Sequence, residues 1–428
     1  MMNEIIKERL VLIQSGTVPQ GYKKTKFGIY PENWTLTCMG NCIREYREIS
    51  NNIQEIPVYS SSRNGLLPQS EYYDGKEATQ TNIGYKVVPP NYLTYRHMSD
   101  DDIFHFNKNQ TGGNILVSSE YPVFTVSDIA ELGFILPVLN NAPRFKYFCG
   151  MQKLGGTRTR LYFKNLCAYQ FYIPPLAEQK KIVEILAQFD KVIELKQQLI
   201  LEMQQMKKGF LRAMFPAKGH NTPDIRFLGF SDPWEQRKLE NMTSLITKGT
   251  TPVDKSGMGS VNFIKIESID PSTGEITITS KISEDEHNGY LRRSQLQEND
   301  ILFSIAGTLG RVTTINRAIL PANTNQALAI IRLKSECLLY ITTYLKGKAV
   351  ADFIKRNPTV GAQPNLSLEQ VGNLNIALPS IAEQNQIGAF FHNFDHLITL
   401  YQRELEEKKK MKSSLMQLLL SGIVRVKP

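Results

Sequence analysis

Two acids beside a cation can hold a metal ion that cuts phosphodiesters, and Pro223-Asp224 followed by Glu235-Gln236-Arg237 has that outline. Here Arg237 stands where such sites use Lys, and the stretch coincides with the start of a sequence unit, so the likeness is a decoy. An Asn or Asp followed by Pro-Pro and an aromatic would hold an amino group for methylation; the nearest string, Pro89-Pro90-Asn91-Tyr92, has the wrong order. Gly257-Met258-Gly259 lacks the third glycine of a dinucleotide loop, and no G-x-x-x-x-G-K-[ST] loop occurs. Cys38 and Cys42 have no second ligand pair at zinc spacing. His392 and His396 share a helix face without the carboxylate of an H-E-x-x-H site. No catalytic or metal centre is expected.

What the sequence does carry is a repeat. Ile173-Pro174-Pro175-Leu176-Ala177-Glu178-Gln179-Lys180-Lys181-Ile182 returns as Leu378-Pro379-Ser380-Ile381-Ala382-Glu383-Gln384-Asn385-Gln386-Ile387, at an offset of 205. From Pro174 to Lys207 the two copies share 13 of 34 residues without a gap. Unrelated residues of average composition would match roughly twice. The same offset places Gly156 on Gly361 and Leu161 on Leu366. Phe27 to Trp34 and Leu228 to Trp234 are weaker echoes that contain both tryptophans. Leu12-Ile13-Gln14-Ser15-Gly16-Thr17-Val18 resembles Leu418-Leu419-Leu420-Ser421-Gly422-Ile423-Val424, as if the tail of the repeat were displaced to the front of a cyclic fold.

The repeated segments read as long helices. Pro174 and Pro379 sit where a helix can begin but not continue. After the first, Ile182, Ile185, Phe189, Val192, Leu199, Met203, Met206 and Phe210 form a stripe interrupted only by Lys196. After the second come Ile387, Phe390, Phe394, Ile398, Tyr401, Leu405 and Met411, with Glu404/Lys408 and Glu406/Lys410 as expected pairs. The two helices are expected to pair antiparallel as a spacer. The blocks between them share little sequence and read as mixed α/β. Strands are expected at 56–60, 85–88, 91–96, 261–266, 276–279, 301–305 and 328–333, with a helix over 338–354.

The chain of 428 residues is long enough for two to four domains of about 150 residues. Hydrophobic residues at 41% and charged residues at 21% support packed cores. No apolar run reaches membrane-spanning length, and the first residues lack the basic and apolar regions of a signal peptide. Five scattered cysteines fit a reducing cytoplasm. The excess of nine Lys and Arg over Asp and Glu points towards a polyanionic partner.

These residues resemble the specificity subunit of a type I restriction–modification enzyme. The likeness rests on the Pro-x-x-x-Glu-Gln-x-x-Ile string at Pro174 and again at Pro379. It extends to Gly249-Thr250-Thr251-Pro252, to Asn299 through Ser304 with Gly307-Thr308-Leu309-Gly310-Arg311, to Asn323 through Leu328, and to Gly113 through Phe124. The resemblance implies an α/β (mixed α+β) fold with a cyclic, pseudo-two-fold duplication. Its parts would be an N-terminal helical segment over 1–20, target-recognition domains over 21–172 and 222–377, and conserved helices over 173–221 and 378–428. Each domain would read one half of a bipartite double-stranded DNA target. The helices would fix the spacer and dock two methyltransferase subunits through Glu178, Gln179, Ile182, Phe189, Glu383, Gln384, Ile387 and Phe394. Two restriction subunits would join optionally. S-adenosylmethionine, ATP and Mg would belong to those partners, and this chain would hold no cofactor. The alternative is a helical adaptor that assembles proteins without reading DNA.

DNA reading needs phosphate contacts for register and polar loop residues for base edges. The phosphate candidates are Lys23, Lys24, Lys26, Arg44, Arg47, Lys153, Arg158 and Arg160, then Lys248, Lys255, Arg292, Arg293 and Arg311. The base-reading candidates are Ser60-Ser61-Ser62-Arg63-Asn64, Tyr95-Arg96 and Arg158-Thr159-Arg160, then Thr250, Thr251, Ser304, Thr308, Asn323 and Gln326. The counterpart of the Arg158 segment, Gln363-Pro364-Asn365, is not basic, as expected of domains that read different sequences.

Overall fold

Trp34 and Trp234 are both buried, and each leads into the same construction. The computed structural model that shows this describes residues 2–72, 84–153, 157–271, 273–277, 279–356 and 365–426. Gly155, Gly156, Gly361, Gln363, Pro364 and Ile278 lie outside the described residues. The chain divides into two units, residues 1–194 with 406–428, and residues 195–405. This division differs from the five sequence segments, because each long helix is shared between units.

In unit 1 the strand Thr35–Cys38 pairs antiparallel with Gln170–Ile173; in unit 2 Glu235–Lys238 pairs with Asn375–Leu378. The start of each block is thus zipped to its end, beside the proline that opens a long helix. A one-turn helix follows in both, Met39–Cys42 and Leu239–Met242, and each buries its first and last residue.

The blocks differ in sequence yet share a main sheet. In unit 1 its order is Ile43–Tyr46, Val123–Val126, Leu93–Tyr95, Phe106–Lys108. In unit 2 it is Thr243–Lys248, Leu328–Leu333, Ile301–Ser304, Val312–Thr314. All neighbours are antiparallel. Leu93–Tyr95 and Ile301–Ser304 are buried along their whole length, which requires cover on both faces. The small sheets diverge. Ile115–Val117 pairs antiparallel with Tyr85–Val88, whereas Ala322–Thr324 pairs parallel with Val261–Ile264. The smaller sheets of the two blocks therefore vary on a common frame.

Several sequence expectations shift. The strand expected at 56–60 forms at Tyr59–Ser62, and Ile276 makes only an isolated bridge. The helix expected over 338–354 is two helices, Leu338–Leu345 and Lys348–Arg356, divided at Lys346-Gly347. Unit 1 repeats this broken pair as Leu132–Asn141 and Pro143–Gly150, where Pro143 starts the second helix.

The long helices are Leu176–Ala213 and Ile381–Leu420, 38 and 40 residues. Within unit 1, Asp190 pairs with Lys412; within unit 2, Lys207 pairs with Asp395 and Lys196 with Glu404. The partner number falls as the first rises, so the packing is antiparallel. Asp190 and Asp395 are repeat equivalents, as are Lys207 and Lys412, so one ion pair occurs twice. Lys196, the interruption in the apolar stripe, has Glu404 as its answer. Glu404 and Glu406 therefore reach Lys196 and Lys409 instead of the expected Lys408 and Lys410. The stripe is also less continuous than its spacing suggests, with Val192 42% and Met206 53% exposed.

Helix packing against each frame uses one small and one large residue, in opposite order. In unit 1, Gly133 of the frame faces Val183; a Cβ there would lie 2.7 Å from a Val183 methyl. In unit 2 the repeat equivalent of Val183 is Gly388, and a Cβ on it would lie 2.8 Å from the Tyr340 nitrogen and 2.9 Å from the Leu339 Cβ. Gly388→Val is expected to cost about 1–3 kcal/mol by overpacking. The nearest atoms are backbone and a Cβ that alanine would keep, so trimming Leu339 to Ala should not rescue the variant in urea unfolding; an unchanged midpoint for the single variant would contradict the close approach.

Candidate nucleic-acid interface

In unit 1 three segments far apart in sequence come together. Arg63-Asn64 form the two-residue turn between Tyr59–Ser62 and Gly65–Pro68, with Ser62 opposite Gly65. Gly65 takes φ 111°, which favours glycine at that corner. The Ser62 hydroxyl donates to the Gly65 carbonyl at 2.8 Å and accepts from the Asn64 N–H at 3.1 Å, so the turn is held locally. Asn107 ties it to the main sheet by donating to Ser61 Oγ and the Ser62 carbonyl. Ser62, Arg63, Asn64 and Arg96 line one cleft of about 270 Å³ together with Met98, Ser99 and Asp100. Thr159–Arg160 pairs with Met98–Ser99, which brings Arg158 and Arg160 to the same place.

The loop Asp100-Asp101-Asp102 also lies at this cleft, and its only signal in the sequence is the run of three acids. Asp100 takes the Arg158 Nε at 2.7 Å, and Asp101 takes an Arg63 Nη at 2.8 Å. Asp102, at φ 62°, accepts from the Thr159 hydroxyl, with Lys153 Nζ 4.0 Å away. The Ser99 hydroxyl holds the Asp101 carboxyl below the usual carboxylate range, and the Arg63 charge adds to this. Among the described residues Arg96 and Arg160 carry no ion pair.

Unit 2 gathers a different set. Arg293 donates to the Thr250 hydroxyl from Nε at 3.2 Å and Nη2 at 3.1 Å. The Thr251 hydroxyl donates to the Gln326 side chain. Gly249 lets this loop pass over the Thr324 carbonyl, which a Cβ would meet at 2.0 Å. Lys248, Arg292, Arg293, Thr251 and Gln326 are exposed. Thr308 is exposed on a separate turn between Gly307 and Gly310, both at positive φ.

Other candidates are structural. Tyr95 is fully buried and donates its hydroxyl to the Leu161 carbonyl at 2.9 Å, so it is a core residue and not a base reader. Ser60, Ser61 and Thr159 are buried beneath the unit 1 cleft. Ser304 is buried, donates to the Thr308 carbonyl and accepts from the Arg311 N–H, so it closes a turn. Asn323 is buried and donates to the Leu291 carbonyl and Ser294 Oγ, which anchors the turn carrying Arg292 and Arg293. Arg311 donates to the Ile266 and Ile269 carbonyls and braces the fold. Lys23 is likewise engaged, with the Glu32 and Trp34 carbonyls, and Arg44 and Arg47 pair with Asp128 and Glu45. Lys24, Lys26 and Lys255 are exposed. Polar type alone does not distinguish a residue beneath a loop from one on it.

The helix-opening strings prove to be internal joints, which corrects their assignment to docking. Glu178, Gln179, Ile182, Glu383, Gln384 and Ile387 are all buried. The Gln179 side-chain oxygen accepts from the Glu131 N–H, which starts the frame helix, and its nitrogen donates to the Ile129 and Pro174 carbonyls. Gln384 repeats this with the Cys337 N–H and the Pro379 carbonyl. Glu178 takes Arg425 at 2.7 and 2.9 Å, and Glu383 takes Arg226 at 2.7 and 2.8 Å, each bidentate. Phe189 is half-buried, and Phe394 packs tilted against Phe210 and edge-on to Phe390. Arg9 and Tyr22 bond the Ile423 and Gly422 carbonyls, so the N-terminal segment joins the chain's end.

In the decoy motif Arg237 pairs with Glu235 at 2.8 Å along a strand, as a partly exposed ion pair. Burial pushes the Cys42 thiol up to about 11 and the Cys149 thiol up to about 12. Among the described residues no cluster of His, Cys, Asp or Glu is placed to hold a metal ion, and no helix is long and apolar enough to cross a membrane.

Residues 142–205 and 231–409 match the family described as Type I restriction modification DNA specificity domain. A chain of Methanocaldococcus jannaschii, provisionally named the type I restriction enzyme MjaX specificity subunit, is 24% identical over 95% of this chain and 97% of its own. The Escherichia coli type I restriction enzyme EcoBI specificity subunit is 24% identical over 50% of this chain and 49% of its own. Among solved structures, a chain from a study of complex assembly and conformational transition in a type I R-M system superposes with a TM-score of 0.56 at 14% identity, covering 92% of this chain and 99% of that one. The S subunit of the M. genitalium type I restriction–modification system gives 0.53 at 13% identity, over 90% and 96%. Both share the fold.

Proposed function

The chain belongs to the type I restriction–modification DNA specificity family, and from that premise we propose that its two units read the two halves of a bipartite duplex target. The long helices fix the spacer between the halves and dock two methyltransferase subunits, with restriction subunits joining optionally. The chain contributes recognition and no catalysis; S-adenosylmethionine, ATP and Mg belong to the partners. One observation carries this reading: the same frame occurs twice, yet it presents Arg63, Arg96, Arg158 and Arg160 in one unit and Lys248, Thr251, Arg292, Arg293 and Gln326 in the other. A repeated scaffold with different exposed polar sets is what reading two sequences requires. With the Glu-Gln strings buried, docking falls to exposed apolar helix residues such as Leu195, Leu199, Leu201, Leu397 and Leu400.

Reconstituted with its methyltransferase partner, the chain should bind its target duplex tightly, and neutralising six or more phosphates should cost about a thousand-fold in affinity between 50 and 200 mM salt. Partner binding with equal affinity for all duplexes would favour an adaptor instead.

A further inference from the structure

Resting on that reading, we infer that Asp100 and Asp101 are specificity-determining positioning residues, holding Arg158 and Arg63 ready for guanine edges in the half-site of unit 1. A guanidinium has five N–H donors in a planar fork. Among the described residues Asp100 takes only the Nε of Arg158 and neither Nη group has a partner, while Asp101 takes a single Nη of Arg63. Two parallel donors remain on each arginine, the number needed to meet guanine O6 and N7. Both arginines are more than half exposed, at 52% and 62%, so the free edges face solvent. The loop itself is fixed from below. Ser99 donates to Asp101 at 2.8 Å, Thr159 bonds Asp102, and strand pairing places Ser99 opposite Thr159. A flexible surface ion pair would order nothing, but here the acids are anchored first and the arginines follow them. The same carboxylates repel phosphate and so weaken sequence-independent binding, in which an arginine has no base edge to gain. Among the described residues of unit 2 no acid pairs with Arg293, which rests on the neutral Thr250 hydroxyl.

The test uses the full chain with its methyltransferase partner on its mapped target duplex and on a scrambled duplex. Asp100→Asn and Asp101→Asn should each tighten scrambled binding roughly five- to ten-fold at low salt and steepen its salt dependence. Target binding should change less than about two-fold, so the specificity ratio falls roughly five-fold. Asp352→Asn removes the same charge from unit 2 and should leave the ratio unchanged. Replacing guanine by 7-deazaguanine in the half-site of unit 1 should weaken wild type roughly ten-fold and the Arg63→Ala/Arg158→Ala chain not at all. Equal changes on both duplexes, or no 7-deazaguanine effect on a wild type that does discriminate, would overturn the inference. A wild type that binds without sequence preference would instead remove the specificity reading itself.

Discussion

Arg226→Ala should destabilise unit 2 by about 3–5 kcal/mol, the cost of leaving a buried carboxylate without its partner. Glu383 has a side chain with no exposed surface, and Arg226 meets both of its oxygens. The equivalent change in unit 1, Arg425→Ala, should cost less. There the Trp34 indole N–H donates to Glu178 at 3.2 Å and remains after the arginine is gone. Trp234 offers no such rescue, since its buried N–H meets no acceptor among the described residues. Removing both members, as in Arg226→Met with Glu383→Gln, should recover much of the loss. Two units need not unfold together, so urea unfolding should be followed by a probe in each, and the transition of unit 2 should move first. Equal costs in the two units would contradict the part assigned to Trp34.

The second large effect concerns DNA. Arg63→Ala with Arg158→Ala should weaken target binding about a hundred-fold, taking 1–3 kcal/mol for each bidentate base contact. The loss should erase discrimination only in the half-site of unit 1. Arg293→Ala should do the converse, since Arg293 belongs to unit 2, where it bonds the Thr250 hydroxyl. Competition with duplexes altered in one half at a time reads this directly. A loss spread evenly over both halves would show that the units do not read independently.

The helical part of the fold was legible because it repeats: a fixed offset, a proline start and an apolar spacing survive as plain text. The shared main sheet was not, because Leu93–Tyr95 and Ile301–Ser304 occupy the same place with different apolar residues, and burial constrains polarity more than identity. The swap of Gly133 facing Val183 for Leu339 facing Gly388 shows the same freedom, since only the summed volume is kept. At the candidate site, type and loop context single out Arg63, Arg96, Arg158 and Arg160, and the fold brings these four together. The errors fell on Tyr95, Thr159, Ser304 and Asn323, whose polar atoms satisfy buried backbone and loop groups. The Glu-Gln strings were misplaced for a related reason. A repeated polar pair invites a partner, and here the partners are Arg425, Arg226 and the amides that begin two frame helices within the chain. The aspartate loop was passed over because acids argue against DNA until their arginine partners are known.

On the proposed function, two separate units each read part of one target. Mapping modified bases in DNA from cells that express this chain with a methyltransferase partner tests it most directly. Two short defined sequences separated by a spacer of fixed length and no sequence preference are the expected result; one continuous motif, or modification without any motif, would contradict the claim.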